Sequence, residues 1–228
     1  MEKTTQGFLK KKVKDVFLDR SILEETIKNG LGREAPYFEK GKPQDSIHSY
    51  IEQNPHKPAS VLICLSCPEI VTKIENIEIL YTVRTDDMPS HKGQISFPGG
   101  KQSKGESTLE CAIRETYEEV GIEGGSLSII GCMPIYPSLI SRFFITPVIA
   151  YFKKPFNLKN VKVNPREVSE VFRVPISALI DEDHFVKTER TFEGISYPLY
   201  EFFYNDYRIW GITAHLTFNF LSRLGLFK

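Results

Sequence analysis

Gly99-Gly100-Lys101-Gln102-Ser103-Lys104-Gly105-Glu106-Ser107-Thr108-Leu109-Glu110-Cys111-Ala112-Ile113-Arg114-Glu115-Thr116-Tyr117-Glu118-Glu119-Val120-Gly121-Ile122 is the stretch on which the fold turns. Ser107 suits a helix N-cap, and Glu110 stands three residues on to complete a capping box. Gly121 is placed to end the helix in a left-handed conformation. With Leu109 set at zero, Ala112, Ile113, Thr116 and Val120 fall within about 60° of it, one apolar stripe facing a core. Glu115 and Glu119 fall at about 240° and 280°, on the border of that stripe, and Glu118 lies near about 180°. Arg114, near about 140°, points away from the Glu115–Glu119 edge and is spaced to pair with Glu110, one turn earlier.

Glu115 and Glu119 are thus one turn apart, about 6 Å along the axis. At the edge of a core they would repel each other by roughly 2–3 kcal/mol at an intermediate dielectric. A hard cation removes that penalty, and Mg2+ or Mn2+ held by one or two carboxylates plus substrate phosphate is the usual arrangement. A glutamate pair alone reads as the decoration of a solvated helix. The wider spacing changes that reading.

Gly100, five residues, Glu106, seven residues and then Arg114-Glu115-Thr116-Tyr117-Glu118-Glu119-Val120-Gly121-Ile122 resembles the Nudix box throughout. Thr116 is the one departure, where the family prefers a larger aliphatic residue. The resemblance implies an α+β fold, a Nudix-type α/β/α sandwich with a mixed β-sheet. It also implies hydrolysis of a nucleoside diphosphate linked to another moiety, with Mg2+ or Mn2+ as cofactor. By the same resemblance Glu115 and Glu119 are metal ligands, Glu118 is a further ligand or the base for the attacking water, and the Gly100 carbonyl reaches the metal. Glu106 and Arg114 are the pair that stiffens the loop. Competing motifs fail: Gly99-Gly100-Lys101 is followed by neither Ser nor Thr and lacks the earlier glycine of a P-loop, and no Gly-x-Ser-x-Gly elbow occurs.

Just upstream, Leu80-Tyr81-Thr82-Val83-Arg84 and His91-Lys92-Gly93-Gln94-Ile95-Ser96-Phe97-Pro98-Gly99-Gly100 resemble the signature of the coenzyme A diphosphatase branch. Thr146–Ala150, Glu167–Pro175 and Ile209–Ala214 are similar to that branch as well. Thr85 stands where the branch usually has Ser, and Pro89 where it usually has Arg, which removes a cation from the phosphate side. Arg84 and Lys101 remain as phosphate contacts, and His91 as a substrate-side residue that orients the loop rather than acting as a base. Phe97 is expected to pack under the loop, and Trp210 to be a core aromatic at a strand-to-helix turn. The substrate implied is coenzyme A or an acyl derivative. Another dinucleotide such as ADP-ribose or NADH is the alternative, and a ligand-sensing module without chemistry a third reading, which the intact Glu115, Glu118 and Glu119 argue against.

Outward from this centre, apolar runs predict strands at Ser60–Leu65, Asn76–Val83, Leu127–Cys132, Phe143–Phe152 and Leu199–Tyr204, with a closing helix at Ile212–Leu224. Strands interleaved with helices argue for a sheet covered on both faces. Residues 59–228 are read as the catalytic domain and 1–58 as an extension. That extension holds a basic helical pattern through Leu9, Val13, Val16 and Phe17, a short helix from the Ser21 capping box to Gly30, and a linker over 31–58.

The formal net charge is zero, so no global field draws the chain to nucleic acid or to a membrane surface. No apolar run reaches the length of a membrane span, no signal-peptide core is present, and the end is not a peroxisomal tripeptide. With four cysteines and no disulfide pattern, an intracellular, by default cytoplasmic, monomer or homodimer is expected. Cys64 and Cys67 form a CxxC that lies on a strand. Its two thiols should therefore face opposite sides, as buried structural groups.

Overall fold

The structure, a computed structural model, describes residues 20–32, 44–67, 74–85 and 93–227. The basic pattern at residues 9–17, Pro89 and His91 lie outside them. The chain runs α1 (Arg20–Leu31), α2 (Gln44–Gln53), β1 (Lys57–Ser66), β2 (Glu78–Arg84), β3 (Ile95–Ser96), β4 (Gly99–Lys101), α3 (Thr108–Val120) and β5 (Leu127–Cys132). It continues through β6 (Tyr136–Ser138), β7 (Phe143–Phe152), β8 (Val168–Pro175), α4 (Ile176–Leu179), β9 (Phe185–Phe192), β10 (Ile195–Tyr204), β11 (Tyr207–Trp210) and α5 (Gly211–Arg223). Among the described residues no helix is long and apolar enough to cross a membrane.

β1 organises the main sheet. It is apolar almost throughout because both of its faces are covered, the pattern of a central strand. Leu62 and Cys64 join Ala112 and Val120 of α3 in one core. Ala59, Ile63 and Leu65 join Leu216, Phe220 and Leu221 of α5 in the other. Cys67 belongs to the α5 side, so the CxxC thiols point to opposite faces, both buried. One edge of β1 runs parallel to β7, from Lys57 against Phe143 to Leu65 against Tyr151. Its other edge is shared: Leu65 and Ser66 pair with β2, while Ala59, Ser60 and Val61 pair with Lys101, Gly100 and Gly99 of β4. β2 and β4 therefore part company along one strand, and the glycine pair lies where they separate. The sheet is mixed, with α3 on one face, and the α+β sandwich expected from the sequence is the fold observed.

The opposite face differs from a plain helical layer. Alongside α5 it carries a second, three-stranded antiparallel sheet in the order β11-β10-β9, which the apolar runs disclosed only at Leu199–Tyr204. β9 escaped because it is an exposed edge strand with little burial to impose an alternation. The segment read as a linker also holds structure. α2 is fixed by tertiary contacts, the Tyr50 hydroxyl donating to the Leu139 carbonyl at 3.3 Å and its ring meeting Phe192 edge-on. α1 forms over the expected residues and docks on the α5 side, where Ile27 is fully buried and the Arg223 guanidinium donates to the Leu31 carbonyl at 3.2 Å.

The closeness of β4 to β1 depends on Gly99, whose φ is 154° and whose added Cβ would lie 2.3 Å from the Ser60 carbonyl oxygen and 2.6 Å from Val61 Cα. Both obstacles are backbone, so neither can turn aside. Gly99→Ala is expected to destabilise the fold by about 2–4 kcal/mol through backbone strain and overpacking. Urea denaturation measures it, and a change below about 0.5 kcal/mol would show that β4 can move off β1 at little cost.

Candidate active site

α3 is capped as its sequence requires. The Ser107 hydroxyl accepts from the Glu110 N–H, the Glu110 carboxylate accepts from the Ser107 N–H, and Gly121 ends the helix at φ 67°. Glu110 is therefore occupied, and Arg114 does not pair with it. The wheel assigns directions to Cα–Cβ bonds, whereas a guanidinium reaches well beyond its own turn. Arg114 instead binds Glu106 through both faces of its fork, at 2.6 and 2.9 Å, and also donates to Glu115 at 2.7 Å, to Glu118 at 2.9 Å and to the Lys101 carbonyl at 3.3 Å. The expected Glu106–Arg114 pair is present, and it ties the loop after β4 to α3. Hydrogen bonding to Arg114 holds the Glu106 carboxyl down at about 2. Thr116 is fully buried and donates its hydroxyl to the Ala112 carbonyl at 2.6 Å, so the departure from a larger aliphatic residue leaves no unsatisfied polar group.

Glu119 stands apart from this network. It is 2% exposed, accepts from the Gly99 N–H at 3.2 Å, and has the Arg84 guanidinium 3.8 Å away. Burial pushes its carboxyl up to about 8, against the lowering effects of Arg84 and the Gly99 N–H, and the negative charges of Glu115 and Glu167 push the same way as burial. Glu115 is raised too, chiefly by burial, with Arg114 opposing. Its carboxylate lies against the Gly100 backbone so closely that a Cβ there would sit 2.5 Å from it. Glu115, Glu119 and the glycine pair thus form one corner. Glu118 is turned outward, its side chain 50% exposed and held by Arg114.

The donors fit a hard cation. Burial raises both the Glu115 and Glu119 carboxyls despite Arg114 and Arg84, and Mg2+ completes its octahedron with waters and substrate phosphate rather than with an all-protein cage. Among the described residues no three acidic, His or Cys side chains are arranged to hold an ion by themselves. The Gly100 carbonyl, expected to reach the metal, accepts a weak bond from Cys111 Sγ at 3.5 Å.

A cavity of about 240 Å³ opens on the α5 side of the glycine pair, and Arg84, Gly99, Gly100 and Lys101 are among its lining residues. Of the expected phosphate contacts, Arg84 lies 3.8 Å from Glu119 and Lys101 joins it in the cavity wall; His91 lies outside the described residues. Phe97 packs beneath the loop as expected, 3% exposed and stacked on Tyr81 at 4.9 Å. Trp210 departs from expectation, since it is 40% exposed and lines the cavity instead of filling a core. Glu167 carried no role in the sequence reading. It sits in the segment that closes over the end of α3, where the Asn164 N–H donates to the Glu119 carbonyl at 2.8 Å and Asn164 Nδ2 donates to the Glu167 carboxylate at 3.1 Å. No spacing rule links it to a motif 48 positions upstream; only the folded chain reveals the proximity.

Arg114→Ala should lower the melting temperature by about 3–6 °C, since it removes a bidentate pair and leaves three carboxylates clustered. The pH dependence follows from Glu106, whose folded value is about 2 against an ordinary 4.5. The unfolded chain binds the proton more readily, so this contribution is complete above pH 4.5 and is lost as pH falls toward 2. The melting gap between wild type and Arg114→Ala should shrink over that window, and a gap that widened on acidification would contradict the pairing.

With this geometry in place, comparison with known proteins is direct. The NUDIX domain family model matches residues 70–193. Nudix hydrolase 3 of Caenorhabditis elegans is 30% identical over 168 residues, covering 68% of this chain and 70% of that protein. The mitochondrial coenzyme A diphosphatase NUDT8 of Mus musculus is 34% identical over 143 residues, covering 61% of this chain and 67% of its own length. The Nudix hydrolase NudL of Photorhabdus laumondii is 30% identical over 161 residues, covering 70% and 80% respectively. Family match, relatives and a glycine corner with its capped acidic helix agree, and the chain belongs to the Nudix family of hydrolases acting on diphosphate bonds.

Proposed function

We propose that this hydrolase cleaves the diphosphate of coenzyme A or its acyl derivatives, giving 4′-phosphopantetheine and adenosine 3′,5′-bisphosphate, with Mg2+ or Mn2+ bound at Glu115, Glu119 and the Gly100 carbonyl. The observation that carries the reading is the position of Arg84 and Phe97-Pro98-Gly99-Gly100. The stretch that resembles the coenzyme A branch supplies Arg84, Phe97, Gly99 and Gly100 to the cavity wall, and Glu119 and Glu115 lie against the backbone of that same glycine pair. The 34% identity to the mouse coenzyme A diphosphatase supports the same substrate.

When bound, such a cation would supply positive charge to the phosphoryl oxygens and make a nearby water more acidic. The chain's own residues do the rest. Arg84 and Lys101 meet the phosphate oxygens from the cavity side. Glu118 faces solvent and accepts the proton of the attacking water, and its hydrogen bond from Arg114 fixes where it waits. Water adds to one phosphorus, the bridging P–O bond breaks, and the departing phosphate carries away the electron pair. Burial of Glu119 keeps competing water from its oxygens, and the Gly99 N–H fixes the carboxylate's orientation.

A substrate panel with Mg2+ or Mn2+, products identified by mass, tests the assignment: CoA should be cleaved faster than ADP-ribose or NADH, and the reverse order would remove the coenzyme A reading. Glu119→Gln should lower kcat/KM by more than about a hundredfold, since a neutral amide is a poor ligand for a hard cation. In chelator its melting temperature should hold, because burial already favours the uncharged carboxyl and the amide keeps an acceptor for the Gly99 N–H. Near-normal turnover by the variant would take Glu119 out of the site.

A further inference from the structure

Resting on the coenzyme A reading, we infer that the cavity on the α5 side of the sheet seats the pantoyl group, the branched apolar head of the pantetheine arm, and that Trp210 is the residue that selects it. Much of the cavity wall is hydrocarbon: Ala59 and Val61 from β1, Phe143 and Ile145 from β7, Trp210 and Leu216. Its hydroxyl-bearing residues already have partners within the fold. Ser96 Oγ pairs with Thr82 Oγ1 at 2.9 Å, Thr213 donates to the Ile95 carbonyl at 2.9 Å, and Ser141 donates to Ser138 Oγ at 2.5 Å. A ribose or nucleobase pushed against the hydrocarbon part of this wall would lose its water without a polar partner there. An apolar group loses nothing there.

Size and position narrow the occupant further. At about 240 Å³ the cavity is smaller than the roughly 300–1,000 Å³ that encloses a whole drug-sized ligand, so it takes one fragment of a substrate. That fragment must begin close to the phosphate, because Arg84, Gly99 and Gly100 line the same space. In coenzyme A the atom group nearest the diphosphate on the non-adenosine side is a quaternary carbon bearing two methyls, one methylene from the phosphate ester. In ADP-ribose and NADH a hydroxylated sugar occupies that place. The chain therefore discriminates where the substrates first differ.

Trp210 stands at the rim. It closes β11 immediately before Gly211, whose φ of 64° turns the chain into α5. The indole is left 40% exposed with the Arg208 guanidinium 5.7 Å from its ring centroid. A large apolar surface kept open beside an apolar cavity gains most when a ligand covers it.

Calorimetric titration of the full chain with 4′-phosphopantetheine and with adenosine 3′,5′-bisphosphate, both in Mg2+, separates the two halves of the substrate. Trp210→Ala should weaken 4′-phosphopantetheine about tenfold or more and leave adenosine 3′,5′-bisphosphate within about twofold. Ala59→Leu, which narrows the cavity from its floor, should do the same, and circular dichroism reports whether either variant is folded. Loss of the adenosine product's affinity instead, or no change in either ligand, overturns the inference. The wild-type assay keeps the underlying reading separate. CoA turnover by the wild type together with unchanged 4′-phosphopantetheine binding in both variants removes the pocket assignment alone. A wild type that cleaves ADP-ribose and not CoA removes both.

Discussion

The carboxylate of Glu119 is buried against the backbone of Gly99, and the backbone of Gly99 is buried against Ser60 and Val61. Three elements meet in that contact with no side chain to cushion them: the central strand β1, the short strand β4 and the acidic helix α3. A substituent on Gly99 strikes the β1 backbone, and one on Gly100 strikes the Glu115 carboxylate. The glycines are the condition for a polar helix edge to approach a sheet closely enough that its acids lose their water. That loss raises Glu115 and Glu119, and a corner so arranged has use for a cation.

Positive charge is distributed unevenly around the corner. Arg114 serves Glu106, Glu115 and Glu118 together, fixing the loop to the helix and setting the outward direction of Glu118. Among the described residues Glu119 has the Arg84 guanidinium at 3.8 Å as its cation, and it feels the additional negative charge of Glu167. The chain is neutral as a whole, so this deficit is local. It lies beside a cavity whose wall combines Arg84 and Lys101 with apolar side chains.

Much of this was legible beforehand. The capping box, Gly121 and the apolar stripe gave α3 its limits, because those signals are local and each has one physical meaning. β1, β5 and β7 were legible as apolar runs. What the sequence concealed depends on tertiary contact. β9 has too little buried surface to leave a periodic trace, and α2 lies in a stretch whose glycines, prolines and charges read as a connection. Arg114 was misdirected toward Glu110 by treating a long side chain as though it ended at Cβ. Trp210 was placed in a core by its residue type, although its position at the turn into α5 leaves it on a cavity rim. Glu167 reaches the acidic corner because residues 162–167 fold back over the end of α3, and nothing in its neighbours announces that.

The central claim is that the corner made by Glu115, Glu119 and Gly100 binds the cation that meets the diphosphate. Anomalous scattering from crystals grown with Mn2+ and a coenzyme A analogue whose bridging oxygen is replaced by methylene tests it most directly. The account predicts a manganese peak at coordination distance, about 2 Å, from oxygens of Glu115 and Glu119 and from a phosphoryl oxygen of the analogue. A peak held by other residues, with Glu115 and Glu119 left as they stand in the metal-free arrangement, would contradict it.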